Sequence, residues 1–467
     1  INIKEKKIIN FVNIGILYNE GHILKHRSDL NFVIGNKIKP ENVKIIFRNS
    51  ASLNFKESES ITKKKIKDLG FELIKYPSKI FFNQPEIFRE LERKTFKETN
   101  DQIEKYFNDI IYLFIQKVKY WYMFFKENNI KILFNNHEKS VELISQQIAI
   151  SLLGGGTIGR CRSLSTKSKG TFFNYYPNNI FFVWGKNSYQ NMLQTHNTID
   201  NYVISGFPYH YYNLKNNYKN YFKQIELVKK KFLSKGSKFT ILLLDTNHGS
   251  NQSYDDQYIN TKVIEKFYNK IFQVVLNDKN LSLVIKTKKK NSFEKLEGIK
   301  DNLKKCIENG KCYLDASKGS LSSNYKDIID FVIAAQIDLS SAFFEIISFG
   351  KRGIIFDYAD LKKTDPVVRE YFEKKLIFSN LDQMISKLKK NIYNLKFGNW
   401  SYIKDDIDPF CDYGGGNRIE EYIFILIENL KNSKSFNDSI NNANKFFIDK
   451  YGEDKIPDNI EKVIEAI

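Results

Sequence analysis

The chain has 467 residues, of which 42% are hydrophobic and 15% aromatic. This composition excludes global disorder, and the length exceeds what one hydrophobic core usually organises, so we expect two domains. The formal charge of +19 favours anionic partners, which are a phosphorylated substrate, an anionic membrane surface or nucleic acid. Because the lysine-rich stretch 279–312 has few aromatic residues on which bases could stack, we expect nucleic acid to be an unlikely partner.

The cysteine pattern and the hydropathy pattern indicate the cellular compartment. The four cysteines form no CxxC pair and do not cluster with histidine, which argues against zinc and against a disulfide scaffold. No run reaches the roughly eighteen apolar residues of a membrane helix, and no secretory leader is visible. We therefore expect a cytoplasmic protein. The sequence begins with Ile1 rather than methionine, so an origin from a larger multidomain chain is kept as an alternative.

Apolar strands and helices alternate through the first half of the chain. The pattern predicts strands over 7–15, 43–47, 71–76, 130–134, 180–185 and 202–208, and a short strand entering a basic loop over 157–163. A long helix is predicted over 101–127, and we expect its apolar stripe to lie in the core. The stripe recurs every three or four residues and consists of Ile103, Phe107, Ile110, Phe114, Val118, Trp121 and Phe125. The alternation predicts a doubly wound α/β domain.

A second series of strands and helices follows a basic helical stretch over 219–234. It predicts strands over 239–244, 281–285, 313–314, 328–337 and 353–356, and helices over 381–391, 418–432 and 436–451. We place the domain boundary between Gly206 and Lys219. The expected division is a first domain over 1–210, a second domain over 211–430 and a helical tail over 431–467.

The stretch 328–358 predicts a strand, a polar turn, a helix and a second strand. Such a unit makes its two strands parallel and directs the helix N-terminus, with Ser340 and Ser341, to the carboxyl edge of the sheet. Free backbone N–H groups and two hydroxyls at that position suit a phosphate. Glu345 follows one helical turn later, where a nucleotide would present its ribose. The alternatives are that the serines only cap the helix and that Glu345 is a solvated carboxylate.

This unit resembles the donor-nucleotide subsite of GT-B glycosyltransferases. The "TIG" at 157–159, the "VWG" at 183–185 and the "VISGFP" at 203–208 are similar to GT-B enzymes of bacterial surface-polysaccharide biosynthesis. "IKTK" at 285–288 resembles the "IKPHP" strand end of enzymes that use CMP- or CDP-activated donors, with Thr287 in place of proline and Lys288 in place of histidine.

The resemblance implies two Rossmann-like domains that face a cleft, with C-terminal helices crossing back onto the first domain. It implies a transferase for lipopolysaccharide or capsule that moves a sugar from a nucleotide-sugar donor to a glycan or lipid-linked acceptor. An acidic sugar on CMP, such as Kdo or a nonulosonate, would fit. No cofactor and no metal are expected, and contact with the inner face of an anionic membrane stays open.

Candidate site residues fall at predicted strand ends of both halves. For the donor they are Asp245, Thr246, Asn247, Lys286, Lys288, Ser340, Ser341 and Glu345. A general base is expected from the first domain, and its candidates are Glu20, His22, His137 and Glu138. Arg160 and Arg162 are expected to bind an acidic acceptor or a donor carboxylate, because guanidinium groups grip carboxylates in a bidentate fork.

One further motif and two rival functions complete the hypothesis. Asp406 and Asp408 spell a DxD, the metal signature of GT-A glycosyltransferases, but we interpret them as loop acids because they lie late in the chain beside Pro409. A non-hydrolysing nucleotide-sugar epimerase shares the GT-B fold and is the enzyme alternative. A basic module that binds nucleic acid or a membrane surface is the alternative without catalysis.

Overall fold

The computed structural model describes sixteen ranges of the chain, and every structural statement below concerns them alone. They are 12–18, 37–47, 63–64, 66–68, 70–75, 86–96, 99–135, 141–161, 175–193, 197–208, 219–246, 261–288, 292–316, 322–335, 340–412 and 414–457.

A sheet of seven parallel strands organises the first half of the chain. Its strands are β1 (Asn13–Tyr18), β2 (Val43–Phe47), β3 (Glu72–Lys75), β4 (Ile130–Asn135), β5 (Gly156–Arg160), β6 (Ile180–Val183) and β7 (Asn201–Ile204). The helices between them are α1 (Glu86–Thr95), α2 (Gln102–Glu127), α3 (Val141–Leu152) and α4 (Lys186–Leu193). The spatial order is β3-β2-β1-β4-β5-β6-β7. The direction of strand addition therefore switches between β1 and β4, where doubly wound sheets bind ligands.

A second parallel sheet has six strands in the order β10-β9-β8-β11-β12-β13. The strands are β8 (Phe239–Leu244), β9 (Leu281–Lys286), β10 (Cys312–Asp315), β11 (Phe331–Ala335), β12 (Arg352–Phe356) and β13 (Ile377–Phe378). The helices are α5 (Lys219–Ser234), α6 (Thr261–Asn277), α7 (Lys300–Glu308), α8 (Ser341–Ser348), α9 (Pro366–Glu373), α10 (Leu381–Asn391) and α11 (Lys404–Ile407). The central strands are continuous apolar runs because helices cover both faces. The switch point of this sheet lies between β8 and β11.

Two C-terminal helices return to the first sheet. Residues of α12 (Gly415–Lys431) and α13 (Phe436–Tyr451) share one apolar core with the strands of that sheet; for example, Ile423 and Phe447 belong to the same cluster as Ile132. The predicted α/β class with two parallel-sheet domains and returning helices is confirmed. The return begins at Gly415, inside the range that the sequence assigns to the second domain, because α12 buries its apolar stripe against the first sheet.

The long helix α2 is only half buried, which corrects the prediction that its whole apolar stripe lies in the core. Val118 and Trp121 are buried, whereas Ile103 and Phe107 are 67% and 56% exposed. At about 1.5 Å per residue the helix is roughly 40 Å long, about twice the length of a six-residue strand, so its first half extends past the sheet. No helix in the described ranges is long and apolar enough to cross a membrane.

Asp408 stabilises the segment in which the chain returns from the second domain to the first. Its carboxylate is 3% exposed and accepts the backbone N–H of Phe207 at 3.1 Å, Phe410 at 3.0 Å and Cys411 at 3.1 Å. Nearby, Arg418 of α12 donates to the Ser205 carbonyl at 2.6 Å. The second aspartate of the DxD therefore holds three backbone amides at the junction between the domains.

Candidate functional site

The carboxyl edge of the second sheet gathers most of the predicted donor residues. All six strands are parallel, so their carboxyl ends meet at one edge. Asp245 and Thr246 follow β8, Lys286 ends β9 and Ser340 precedes α8 after β11. Because β8 and β11 are neighbours, Asp245 and Ser340 follow the two strands that flank the switch point.

Asp245 is a buried hydrogen-bond centre that ties together three segments at this edge. Its Oδ1 accepts the Tyr268 hydroxyl at 2.7 Å, and its Oδ2 accepts the Ser292 hydroxyl at 2.6 Å and the backbone N–H of Lys288 at 3.0 Å. Burial, reinforced by the Asp245 carboxylate, raises the pKa of Tyr268 well above its usual value. The phenol therefore stays protonated and remains a donor. The predicted residues Asp245 and Lys288 are in direct contact, while the Lys288 side chain lies at the surface.

Lys286 lies beside a carboxylate that the sequence analysis did not single out. Its Nζ is 3.8 Å from Oδ2 of Asp315, and it donates to the Thr287 carbonyl at 3.0 Å. Asp315 is 3% exposed and its Oδ2 also accepts the Tyr325 hydroxyl at 2.6 Å. The sequence signal for Asp315 was its position at the carboxyl end of a short apolar strand, as for Lys286.

Ser340 caps helix α8 at the start of the predicted phosphate site. Its backbone is extended, and its Oγ accepts the N–H of Phe343 at 3.3 Å, which is the geometry of an N-cap. Ser341 is the first residue of the helix and is partly exposed. The cap uses one serine and leaves the hydroxyl of the next at a helix N-terminus, where the helix dipole favours an anion.

Glu345 is buried and oriented toward a short 3₁₀ turn, Ser322–Tyr325. It is 3% exposed; its Oε2 accepts the Ser322 hydroxyl at 3.0 Å and its Oε1 accepts the Ser323 backbone N–H at 3.2 Å. The alternative of a solvated carboxylate is therefore wrong. These two contacts fix the Glu345 carboxylate between α8 and the 3₁₀ turn.

Asp357 is a second acid at this edge that the sequence analysis missed. It directly follows β12, is 2% exposed, and its Oδ2 accepts the backbone N–H of Lys362 at 3.3 Å. Burial raises its pKa, partly offset by the N–H groups of the following turn. Among the described residues its Oδ1 has no hydrogen-bond partner. An acid placed immediately after an apolar strand was the available signal.

The first sheet places the predicted acid-base candidates after two adjacent strands. Glu20 and His22 follow β1, His137 and Glu138 follow β4, and β1 pairs with β4 in parallel. These four residues, together with Arg162 and Asn247, lie outside the described residues. Arg160 ends β5, the next strand, and is 5% exposed. The strands that carry the candidates thus flank the switch point of the first sheet.

Metal-binding side chains do not cluster in the part of the chain that the structure describes. No group of three or more His, Cys, Asp or Glu residues there could hold an ion. Asp406 is exposed on α11, whereas Asp408 is engaged with backbone amides, so the two acids do not act as a pair. The metal independence of the reaction remains a prediction.

No protein-family model and no curated protein matches this chain. Solved structures do match it in fold. The UDP-GlcNAc 2-epimerase from Neisseria meningitidis bound to UDP-GlcNAc aligns with a TM-score of 0.51 at 11% identity, over 90% of this chain and 99% of that chain. The S. aureus MnaA–UDP co-structure aligns with a TM-score of 0.50 at 11% identity, over 89% and 97% of the two chains. A glycosyltransferase from Rickettsia africae ESF-5 aligns with a TM-score of 0.50 at 10% identity, over 90% and 99%.

These alignments define the class of fold. The chain has the two-domain α/β architecture of the GT-B type, which glycosyltransferases and nucleotide-sugar epimerases share. At about one identical residue in ten the likeness concerns the fold, so the activity must be argued from this chain's own side chains.

Proposed function

We propose that the chain is a GT-B glycosyltransferase that binds a nucleotide-sugar donor at the carboxyl edge of its second sheet. The observation that carries this proposal is the position of the capped α8 N-terminus at the switch point between β8 and β11. Doubly wound sheets bind ligands at that point, and a helix N-terminus there binds phosphate. Two solved structures of the same fold are described with UDP or UDP-GlcNAc bound, which supports a nucleotide sugar as the ligand.

The side chains at this edge suit the negative charge of a departing nucleotide. Ser341 and the free N–H groups of α8 bind the donor phosphate, and Glu345 accepts a ribose hydroxyl while it holds the Ser322 turn. Lys286 and Lys288 meet the charge that develops on the leaving group, which is the role a metal takes in GT-A enzymes. Thr246 and Asn247 complete the donor side after β8.

The first domain supplies the acceptor side in this proposal. A base from the pair Glu20 and His22, or from the pair His137 and Glu138, removes the proton of the acceptor hydroxyl, since both pairs follow strands at the first switch point. Arg160 and Arg162 hold a carboxylate of the donor or acceptor. A CMP-activated acidic sugar, Kdo or a nonulosonate, and a glycan or lipid-linked acceptor of a bacterial surface polysaccharide fit these residues.

A nucleotide-sugar epimerase is the second candidate, because the UDP-GlcNAc 2-epimerase aligns as well as the glycosyltransferase does. A thermal-shift series with CMP, CDP, UDP and GDP identifies the nucleotide, since a bound ligand stabilises the folded state by mass action. The matching nucleotide sugar is then incubated with the protein, with and without a glycan acceptor. Acceptor-dependent release of nucleotide supports transfer; conversion of the sugar without any acceptor supports the epimerase. Stabilisation by none of the four nucleotides overturns both.

A further inference from the structure

Helix α5 has a buried apolar face and an outer face of unusual composition. Ile225, Val228 and Phe232 are buried in an apolar cluster that includes Leu242 of β8 and Val332 of β11. At 100° per residue, Lys223, Leu227 and Lys230 lie on the opposite side of the helix, and all three are exposed. The outer face therefore combines cationic and apolar side chains along one line.

The lysines of this surface outnumber the acidic residues on α5. Six exposed lysines occupy α5 and the turn after it: Lys223, Lys229, Lys230, Lys231, Lys235 and Lys238. Glu226 is the one exposed acid on the described outer face of α5, and none of the six lysines forms an ion pair with any described residue. Elsewhere, exposed helical lysines such as Lys94, Lys300 and Lys304 pair with a glutamate one turn away.

Two leucines are exposed among these lysines. Leu227 is 64% exposed and Leu233 is 58% exposed. Leu227 lies one turn from both Lys223 and Lys230, and Leu233 lies one turn from Lys229 and Lys230. Lysines alone would bind any polyanion. Leucines between the lysines favour a ligand that has negative headgroups above a hydrocarbon layer, which is an anionic lipid bilayer.

We propose that the outer face of α5 docks the protein on an anionic bilayer, with the lysines at the headgroups and Leu227 and Leu233 inserted between them. Charge complementarity selects this helix over the exposed half of α2, which is also apolar. There Asp101, Glu104 and Asp109 outnumber Lys105, so the local charge has the same sign as the membrane. The proposal is independent of the chemistry in the cleft, because docking requires neither donor nor acceptor.

The test is sedimentation of the full chain with vesicles of phosphatidylglycerol and phosphatidylcholine in equal parts, compared with pure phosphatidylcholine. We expect partitioning to the mixed vesicles that weakens in high salt, and little to the neutral ones. The triple variant Lys223→Gln/Lys230→Gln/Lys231→Gln should lower partitioning about a hundredfold, since each lysine near an anionic surface contributes about fivefold. Leu227→Ser/Leu233→Ser should lower it about tenfold or more at unchanged charge.

The matched control is Lys94→Gln/Lys300→Gln/Lys304→Gln, which removes the same charge from exposed, ion-paired positions and should partition like the parent. All changes are at the surface, and thermal unfolding confirms that each variant is folded. Equal loss in the control variant would show a bulk charge effect and overturn the proposal, as would failure of the parent to bind mixed vesicles. A duplex that binds the parent tightly, loses affinity in the α5 lysine variant and is indifferent to the leucines would identify a nucleic-acid surface instead.

Discussion

Asp315 and Lys286 are register partners on the neighbouring strands β10 and β9, with 3.8 Å between carboxylate and ammonium. Both are largely buried, and the Tyr325 hydroxyl donates to the same carboxylate oxygen that faces the lysine. The lysine proposed for the leaving group is therefore held by a carboxylate that is itself held by a tyrosine. This arrangement fixes where the positive charge lies before any ligand arrives.

The Tyr325 hydroxyl should contribute measurably to stability. Tyr325→Phe leaves a buried charged acceptor with one donor fewer, so we expect a loss of about 1.5 to 3 kcal/mol in the free energy of unfolding. Urea denaturation measures it. Tyr106→Phe, at a position 65% exposed, is the control and should change stability by less than about 0.5 kcal/mol. Equal stability losses in both variants would show that the contact with Asp315 is not the cause of the loss.

Ser340 and Ser341 should separate into a structural and a ligand-binding residue. Ser340→Ala removes the N-cap and should cost about 1 kcal/mol of stability, whereas Ser340→Asn, another good cap, should restore most of it. Ser341→Ala should leave stability nearly unchanged and weaken nucleotide binding by about 1.5 to 3 kcal/mol. Denaturation and calorimetric titration with the stabilising nucleotide measure the two quantities. Unchanged nucleotide affinity in Ser341→Ala would place the phosphate elsewhere.

The two aspartates of the DxD should behave differently. Asp408→Ala leaves three N–H groups at the domain junction, one buried and two partly buried, without their acceptor, so we expect a loss of about 3 kcal/mol or more. Asp406→Ala changes an exposed side chain and should be within about 0.5 kcal/mol of the parent. A metal pair would instead make both variants inactive and neither unstable. Denaturation with and without added Mn²⁺ distinguishes the two cases.

Transfer should persist in EDTA if lysines meet the leaving-group charge. Lys288→Met is the informative variant, because the Lys288 side chain lies at the surface of the predicted donor edge. We expect a fall in kcat larger than any change in acceptor KM, since the interaction strengthens as the phosphate becomes charged. Lys300→Met, on an exposed helix, is the control. Loss of activity in EDTA with recovery in Mn²⁺ would reject this account.

Stability should fall in acid through a contact between α12 and the first domain. Burial raises the pKa of Glu421, but hydrogen bonds from Lys37, Lys450 and Tyr451 outweigh it and lower the pKa from 4.5 to about 2. A depressed pKa in the folded state means that the stabilisation is present above about pH 4.5 and is lost as the pH falls toward 2. Urea midpoints measured from neutral pH to about pH 3 should therefore fall more steeply for the parent than for Glu421→Gln. If the urea midpoints of the two proteins fell equally with pH, the Glu421 network would not be a source of acid sensitivity.

The sequence predicted element type well where apolar periodicity is strong. The helix over 101–127 and the strand over 43–47 appear with nearly the same bounds, because local periodicity records which face of an element is buried. Periodicity does not record which neighbour buries it. The exposed half of α2 was missed for that reason, and the return of the C-terminal helices was expected from the resemblance and not from periodicity.

The sequence predicted where the candidate site residues lie better than it predicted which residues they contact. Strand ends located Asp245, Lys286 and Ser340 at one edge, since parallel strands end together. The partners of these residues were not predictable, because Tyr268 and Asp315 reach them from other segments of the chain. A carboxylate such as Glu345 looks the same in sequence whether it faces solvent or a buried turn.

The return of α12 and α13 to the first sheet determines when that domain can finish folding during synthesis. Its described strands are all translated by Ile204, yet the apolar face that packs against α12 and α13 lacks these two helices until Phe447 has left the ribosome. The second domain has its own strands and helices complete before then. Folding thus ends with the domain that is synthesised first. A chain interrupted after the second domain would expose apolar residues of the first sheet, which chaperones recognise.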